Sequence, residues 1–303
     1  MDPEGFLTIG GFRVFYRSEG EPRRGTLLGL HGGPGGCYDY LAPLFDLAER
    51  GYRVVLYDQS GGGKSQRLND PSLFNIERYV EEAEGVRSAL ELGRVHLYGH
   101  SWGGMLAQAY ALKYQANLSS LILSGTTSSV PMLVAEGEKV FRALPAYVRN
   151  TVTKYEALGD YENPKYLAAI ERFNHTHQAL DPWPEALKYV FENFSQPVGL
   201  TMFGPNLISV SGNMRYWDVT DRLSSLKVPC LVICGDKDFL TPRLHETLHE
   251  KIRGSRLIVM KGVSHGSMWD ARGAYVRHLA GFLDSHRFRI KGQGKRKSPK
   301  STS

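Results

Sequence analysis

Gly99-His100-Ser101-Trp102-Gly103 follows the apolar run Val95-His96-Leu97-Tyr98 and sets a serine where a buried strand turns sharply into a helix. A serine hydroxyl is a weak nucleophile at neutral pH. It needs a base, a carboxylate to orient that base, and donors for the oxyanion that its attack creates. The chain offers candidates for each. Gly262-Val263-Ser264-His265-Gly266 follows the apolar segment Arg256–Met260 and presents His265 as the base. Gly235-Asp236-Lys237-Asp238 follows Val228–Cys234; Asp238 is the preferred orienting acid, and Asp236 is its neighbour and rival, with a turn-bracing role as the alternative. The glycine-rich run His31-Gly32-Gly33-Pro34-Gly35-Gly36 follows a third apolar segment, and the N–H groups of Gly33 and Trp102 are the candidate oxyanion hole.

These residues must be positioned by strands that share one edge. Phe6–Ile9 and Phe12–Tyr16, parted by two glycines, predict an opening hairpin. Strands over 26–30, 52–57, 95–100 and 118–123 alternate with helical patterns near 40–50, 76–92 and 105–112. Such alternation predicts an α/β fold with a mostly parallel sheet, helices on both faces and a site at the C-terminal strand ends. From about Thr126 to Trp217 the strand signals stop, and aromatics in short, proline-broken helical segments predict an inserted helical cap. The organisation expected is core over 1–125, cap over 126–217, core again over 218–286, and a basic disordered tail over 287–303.

The order serine, acid, histidine is that of an α/β-hydrolase. His31-Gly32-Gly33-Pro34-Gly35, Tyr57-Asp58-Gln59-Ser60-Gly61, Gly99–Gly104 and Trp217-Asp218-Val219-Thr220-Asp221 together resemble the proline iminopeptidase family of that fold, closest to archaeal aminopeptidases that work downstream of the tricorn protease. The resemblance runs to about residue 286. It implies a serine peptidase releasing N-terminal proline or another small apolar residue from short peptides, with no cofactor or metal, and a functional association with an upstream peptidase. Relatives of this type hold the substrate ammonium with two glutamates, one after a Gly-Pro-Asn and one after the catalytic aspartate. Leu207 and Phe239 stand at those places here. Either another acid, such as Asp39, Glu192 or Asp218, takes the amine, or the substrate is an amide or ester without one. Phe203, Leu207 and Phe239 are the residues expected to line the substrate pocket.

Two other motifs point elsewhere. His245-Glu246-Thr247-Leu248-His249 is a literal zinc-peptidase pattern, but Ile252 and Ser255 occupy the places of the glycine and histidine in its extended form, and the segment is expected on the outside of the sheet away from the strand ends. Gly61-Gly62-Gly63-Lys64-Ser65 resembles the end of a phosphate loop, yet Asp58 stands where the first glycine is needed. The formal charge of +6 does not indicate nucleic-acid binding, because residues 287–303 carry seven Lys or Arg and no acid, leaving −1 for the rest. With 42% apolar residues the chain can bury a large core, and no apolar run reaches membrane-spanning length. Cys230 and Cys234, about 13 Å apart along a strand, cannot bridge. Reduced thiols and a cytoplasmic location are therefore expected.

Overall fold

The structure, a computed structural model, describes residues 2–205 and 210–286. Leu207 and the basic tail over 287–303 lie outside the described residues. Strands β1 (Glu4–Ile9) and β2 (Phe12–Glu19) form the antiparallel hairpin, with Ile9 opposite Phe12 across Gly10-Gly11. Strands β3 (Thr26–Leu30), β4 (Arg53–Tyr57), β5 (Val95–His100), β6 (Leu118–Ser124), β7 (Cys230–Gly235) and β8 (Arg256–Met260) then complete one sheet in the order β1-β2-β4-β3-β5-β6-β7-β8. All contacts from β3 onward are parallel. Every residue of β3, β5 and β7 is buried, as expected of parallel strands covered on both faces.

Helices α1 (Ile76–Ala89), α2 (Trp102–Tyr114), α8 (Pro242–Lys251) and α10 (Arg272–Ser285), with the short α9 (Ser267–Asp270), belong to this core. Two large apolar clusters cover the two faces of the sheet. The helix expected near 40–50 forms instead as a 3-10 stretch over Tyr38–Arg50, with Pro43 inside it. Proline has no N–H to donate, and its ring crowds the preceding turn, which disfavours regular α-helix there. Gly51, at φ 84°, ends the stretch by donating to the carbonyls of Leu47 and Ala48.

Between β6 and β7 the chain leaves the sheet for five helices, α3 (Val130–Ala143), α4 (Ala146–Leu158), α5 (Pro164–His177), α6 (Glu185–Glu192) and α7 (Gln196–Met202). Departure and return are stapled side by side: Val130 N–H donates to Trp217 O, and Val219 N–H to Ser128 O, both at 2.9 Å. Val148, Val152, Tyr155, Tyr166 and Ala169 of α4 and α5 form a small separate core, against which Phe141 of α3 and Leu144 also pack. Among the described residues no helix is long and apolar enough to cross a membrane, and Cys37, Cys230 and Cys234 are buried free thiols.

Gly281 lies in the interior of α10 on its exposed face, and an added Cβ there would meet nothing within 4 Å. Gly281→Ala is expected to raise stability by about 0.5–1 kcal/mol, by lowering the entropy of the unfolded chain. Urea denaturation checks this as a higher midpoint at unchanged slope.

Candidate active site

Ser101 occupies the turn between β5 and α2 at φ 57° and ψ −126°, a conformation that few side chains adopt. Several bonds hold it there. Its N–H donates to Ser124 O at 3.0 Å, and its carbonyl accepts from Thr126 Oγ1 at 2.7 Å and from the Gly104 N–H at 2.9 Å. The turn also requires α2 to touch β3, since a Cβ on Gly103 would collide with Leu30 O.

His265 and Asp238 are brought together. Nδ1 of His265 faces both carboxylate oxygens of Asp238 at 2.9 and 3.0 Å, and both side chains are buried. Asp238 Oδ1 also accepts from Leu240 N–H at 2.8 Å. Burial works against charge on each partner, pushing Asp238 up and His265 down. Nε2 of His265 has no hydrogen bond among the described residues, and neither has Ser101 Oγ. The rival acid, Asp236, lies on the other side of the turn, where its Oδ1 accepts from Gly262 N–H at 2.7 Å. Gly125, at φ 49°, lies beneath the pair; a Cβ there would meet Asp238 Oδ2 and His265 Nδ1, each at 3.1 Å.

His100 links the nucleophile turn to both flanking loops. Its Nε2 donates to His265 O at 3.0 Å, while its Nδ1 accepts from Tyr40 Oη at 2.8 Å. Tyr40 Oη in turn accepts from Gly32 N–H at 2.7 Å. With one ring nitrogen donating and the other accepting, the imidazole is held neutral, and burial lowers its pKa to about 3. Gly32 N–H is so occupied, while the N–H groups of Gly33 and Trp102 are among those of the glycine loop and the α2 start that have no acceptor among the described residues. The Trp102 indole donates to Gln59 Oε1 at 2.8 Å, and Gln59 Nε2 donates to His31 O at 2.9 Å, joining the α2 start to the glycine loop. Asp58 accepts from Tyr38 N–H and Lys64 N–H, so the phosphate-loop-like segment folds onto a carboxylate of its own chain.

Aromatic rings pack on both Trp102 and His265. Phe203 meets the Trp102 ring edge-on at 6.3 Å, and Phe239 lies 4.6 Å from the His265 ring and 6.0 Å from Phe173 of α5. Of the acids considered for the amine, Asp218 accepts from Thr220 N–H, Glu192 is exposed at the end of α6, and Asp39 has a buried, unpartnered Oδ2 beside Cys37 and Asp58.

The zinc pattern fails on geometry, and its expected distance from the site is corrected. His245 is buried at the site's edge, with Nε2 accepting from Thr126 N–H at 2.9 Å and Nδ1 on Thr241 O at 3.1 Å, so both nitrogens are engaged. His249 instead bonds Ser255 Oγ. Sequence reasoning did not assign roles to Tyr40 and His100, although His100 sits inside the serine motif itself. It also missed three ties from the end of α5: His177 O accepts from His265 N–H at 3.0 Å, Gln178 O from Gly266 N–H at 2.7 Å, and His177 Nδ1 donates to Lys237 O at 3.0 Å.

Residues 25–271 match the family described as the alpha/beta hydrolase fold. The proline iminopeptidase of Thermoplasma volcanium is 42% identical over 288 residues, covering 93% of this chain and 97% of the relative. That of Saccharolobus solfataricus is 39% identical, with 93% and 92% covered. Among solved structures, VinJ superposes with a TM-score of 0.90 at 29% identity, and a proline iminopeptidase of Mycobacterium smegmatis with 0.87 at 30%; each covers 93% of this chain and 98% of its own.

Tyr40→Phe removes the hydroxyl that serves both Gly32 N–H and His100 Nδ1 and leaves two buried groups unpaired. The expected loss of stability is about 1–3 kcal/mol. It is read as a lowered urea midpoint.

Proposed function

From a chain that belongs to the alpha/beta hydrolases and, within them, to the proline iminopeptidases, we propose an aminopeptidase that releases N-terminal proline or another small apolar residue through an acyl-enzyme on Ser101. The observation that carries this reading is the buried His265–Asp238 pair, which packs through His100 directly behind the strained serine turn: the two histidine rings lie 4.4 Å apart. With Nδ1–H committed to Asp238, His265 is held in the tautomer whose Nε2 accepts a proton.

In this mechanism Nε2 takes the Ser101 proton as Oγ attacks the carbonyl of the first residue. The oxyanion is received by Gly33 and Trp102 N–H, the latter in the first turn of α2, where unpaired amides and the helix dipole favour negative charge. His265 then gives its proton to the leaving amine, and water repeats the sequence to free the acid. Asp238 orients the imidazole and offsets its charge while it is protonated. Each step uses only this chain's own groups. Short peptides are the substrates of this reading, with no nucleic acid or membrane surface involved, and the cytoplasm is the proposed compartment.

A second reading keeps the same chemistry on an amide or ester without a free amine. Phe239 favours it, because an aromatic ring packs on the base where the family resemblance implies an ammonium-binding carboxylate. Loss of a charge-assisted bond removes roughly 1.5–3 kcal/mol of ammonium binding.

Hydrolysis of a proline arylamide, its N-acetyl derivative and a simple aryl ester separates the readings. The aminopeptidase reading expects the free amine to be turned over best, and Ser101→Ala to lower kcat by several orders of magnitude. Equal or faster turnover of the blocked amide gives the second reading. Near-wild-type activity of Ser101→Ala removes the serine from the mechanism.

A further inference from the structure

A cavity of about 500 Å³ lies at the seam of cap and core, beyond the ring of Phe173. Val140 of α3, Leu144 of the link after it and Val148 of α4 line it together with the Asp236–Asp238 turn. The cavity adjoins the proposed base. Phe173, which lines it, packs on Phe239, and Phe239 packs on His265. The amine that leaves the acyl-enzyme takes its proton from His265, so the peptide attached to that amine starts beside these rings.

Two cations line this cavity, Arg172 on α5 and Lys237 on the turn, both of them exposed residues. Among the described residues neither has a carboxylate partner; the Arg172 guanidinium lies 5.9 Å from the Tyr147 ring, and the Lys237 main chain is held to α5 by His177. The one acid of the lining besides Asp238 itself, Asp236, already accepts from Gly262 N–H and lies 3.8 Å from Lys261 Nζ. The cavity thus combines apolar lining with two cations that have no carboxylate partner among the described residues.

We propose that this seam is the leaving-peptide subsite and that Arg172 and Lys237 together hold the C-terminal carboxylate of a short peptide. The proposal rests on the aminopeptidase reading and specifies its substrate class: free peptides of limited length rather than protein N-termini. A carboxylate fixed at one place selects length, because each further residue extends the chain by about 3.3–3.6 Å. Arg172 contributes a planar fork matched to a carboxylate, and Lys237 a second positive charge.

The test compares kcat/KM for peptides Pro-Gly(n) with n from 1 to 5, each as free acid and as C-terminal amide, in the wild-type chain and in Arg172→Ala, Lys237→Ala and the double variant. The ratio of acid to amide within one protein is independent of how much of it folds. The wild type is expected to prefer the acid by about five- to tenfold at one value of n and less at longer n, and the double variant to bring that ratio to about one. Arg172→Glu should invert it. A wild-type ratio near one at every length overturns the subsite while leaving the aminopeptidase standing, as does a ratio that survives the double substitution. Failure to cleave the proline arylamide as well as the peptides overturns the aminopeptidase reading itself, and this subsite with it.

Discussion

The site depends on one chain of buried hydrogen bonds, from Gly32 N–H through Tyr40 Oη and His100 to the carbonyl of His265. Its members come from the loops after β3 and β8, the end of β5 and the 3-10 stretch, segments brought together only by the sheet. A net contribution of about 1 kcal/mol per bond understates its effect, because each buried group lost would also leave its partner unsatisfied. The chain fixes three things together: the position of the glycine loop, the neutral tautomer of His100, and the height of the loop that carries His265. The strain at Ser101 is sustained by this frame and by the bonds that Ser124 and Thr126 make to the same turn.

Parallel pairing explains why such distant residues meet. β3 and β5 are neighbours with Leu30 level with Gly99, and β5 and β6 with His100 level with Ser124, so loops that leave these strands start at one height. β7 and β8 bring Asp238 and His265 to the same edge, with Gly235 level with Met260. The course of each loop beyond its strand is then set by local chemistry, and glycine recurs where backbone must pass close to backbone.

That arrangement was readable in the sequence where local pattern and chemistry coincide. The serine turn and the His265 loop each came from a residue type at the end of an apolar run, and the sheet came from the alternation of such runs; Asp236 and Asp238 end the same run, and it is Asp238 that faces His265. The 3-10 form of Tyr38–Arg50 was not readable from periodicity, because three- and four-residue spacing share most of their apolar positions and only Pro43 tells them apart. His245 was misplaced because a motif names residues without saying which way a helix faces; in the fold its ring is a buried acceptor for Thr126 N–H. The carbonyls of His177 and Gln178 carry no side-chain signature at all. Main-chain acceptors at a helix end become functional only through the segments that dock against them.

Those two carbonyls, with the His177 side chain on Lys237 O, tie the helices inserted after β6 to the loops at the sheet's edge. Helix α5 ends by holding the backbone of both loops that carry the His265–Asp238 pair. Cap and core are therefore wired as an interlock. Any movement that lifts α5 from these loops must first release the amides of His265 and Gly266. The His265–Asp238 pair is thus seated from two directions, by the strands beneath it and by a helix end that is not part of the sheet.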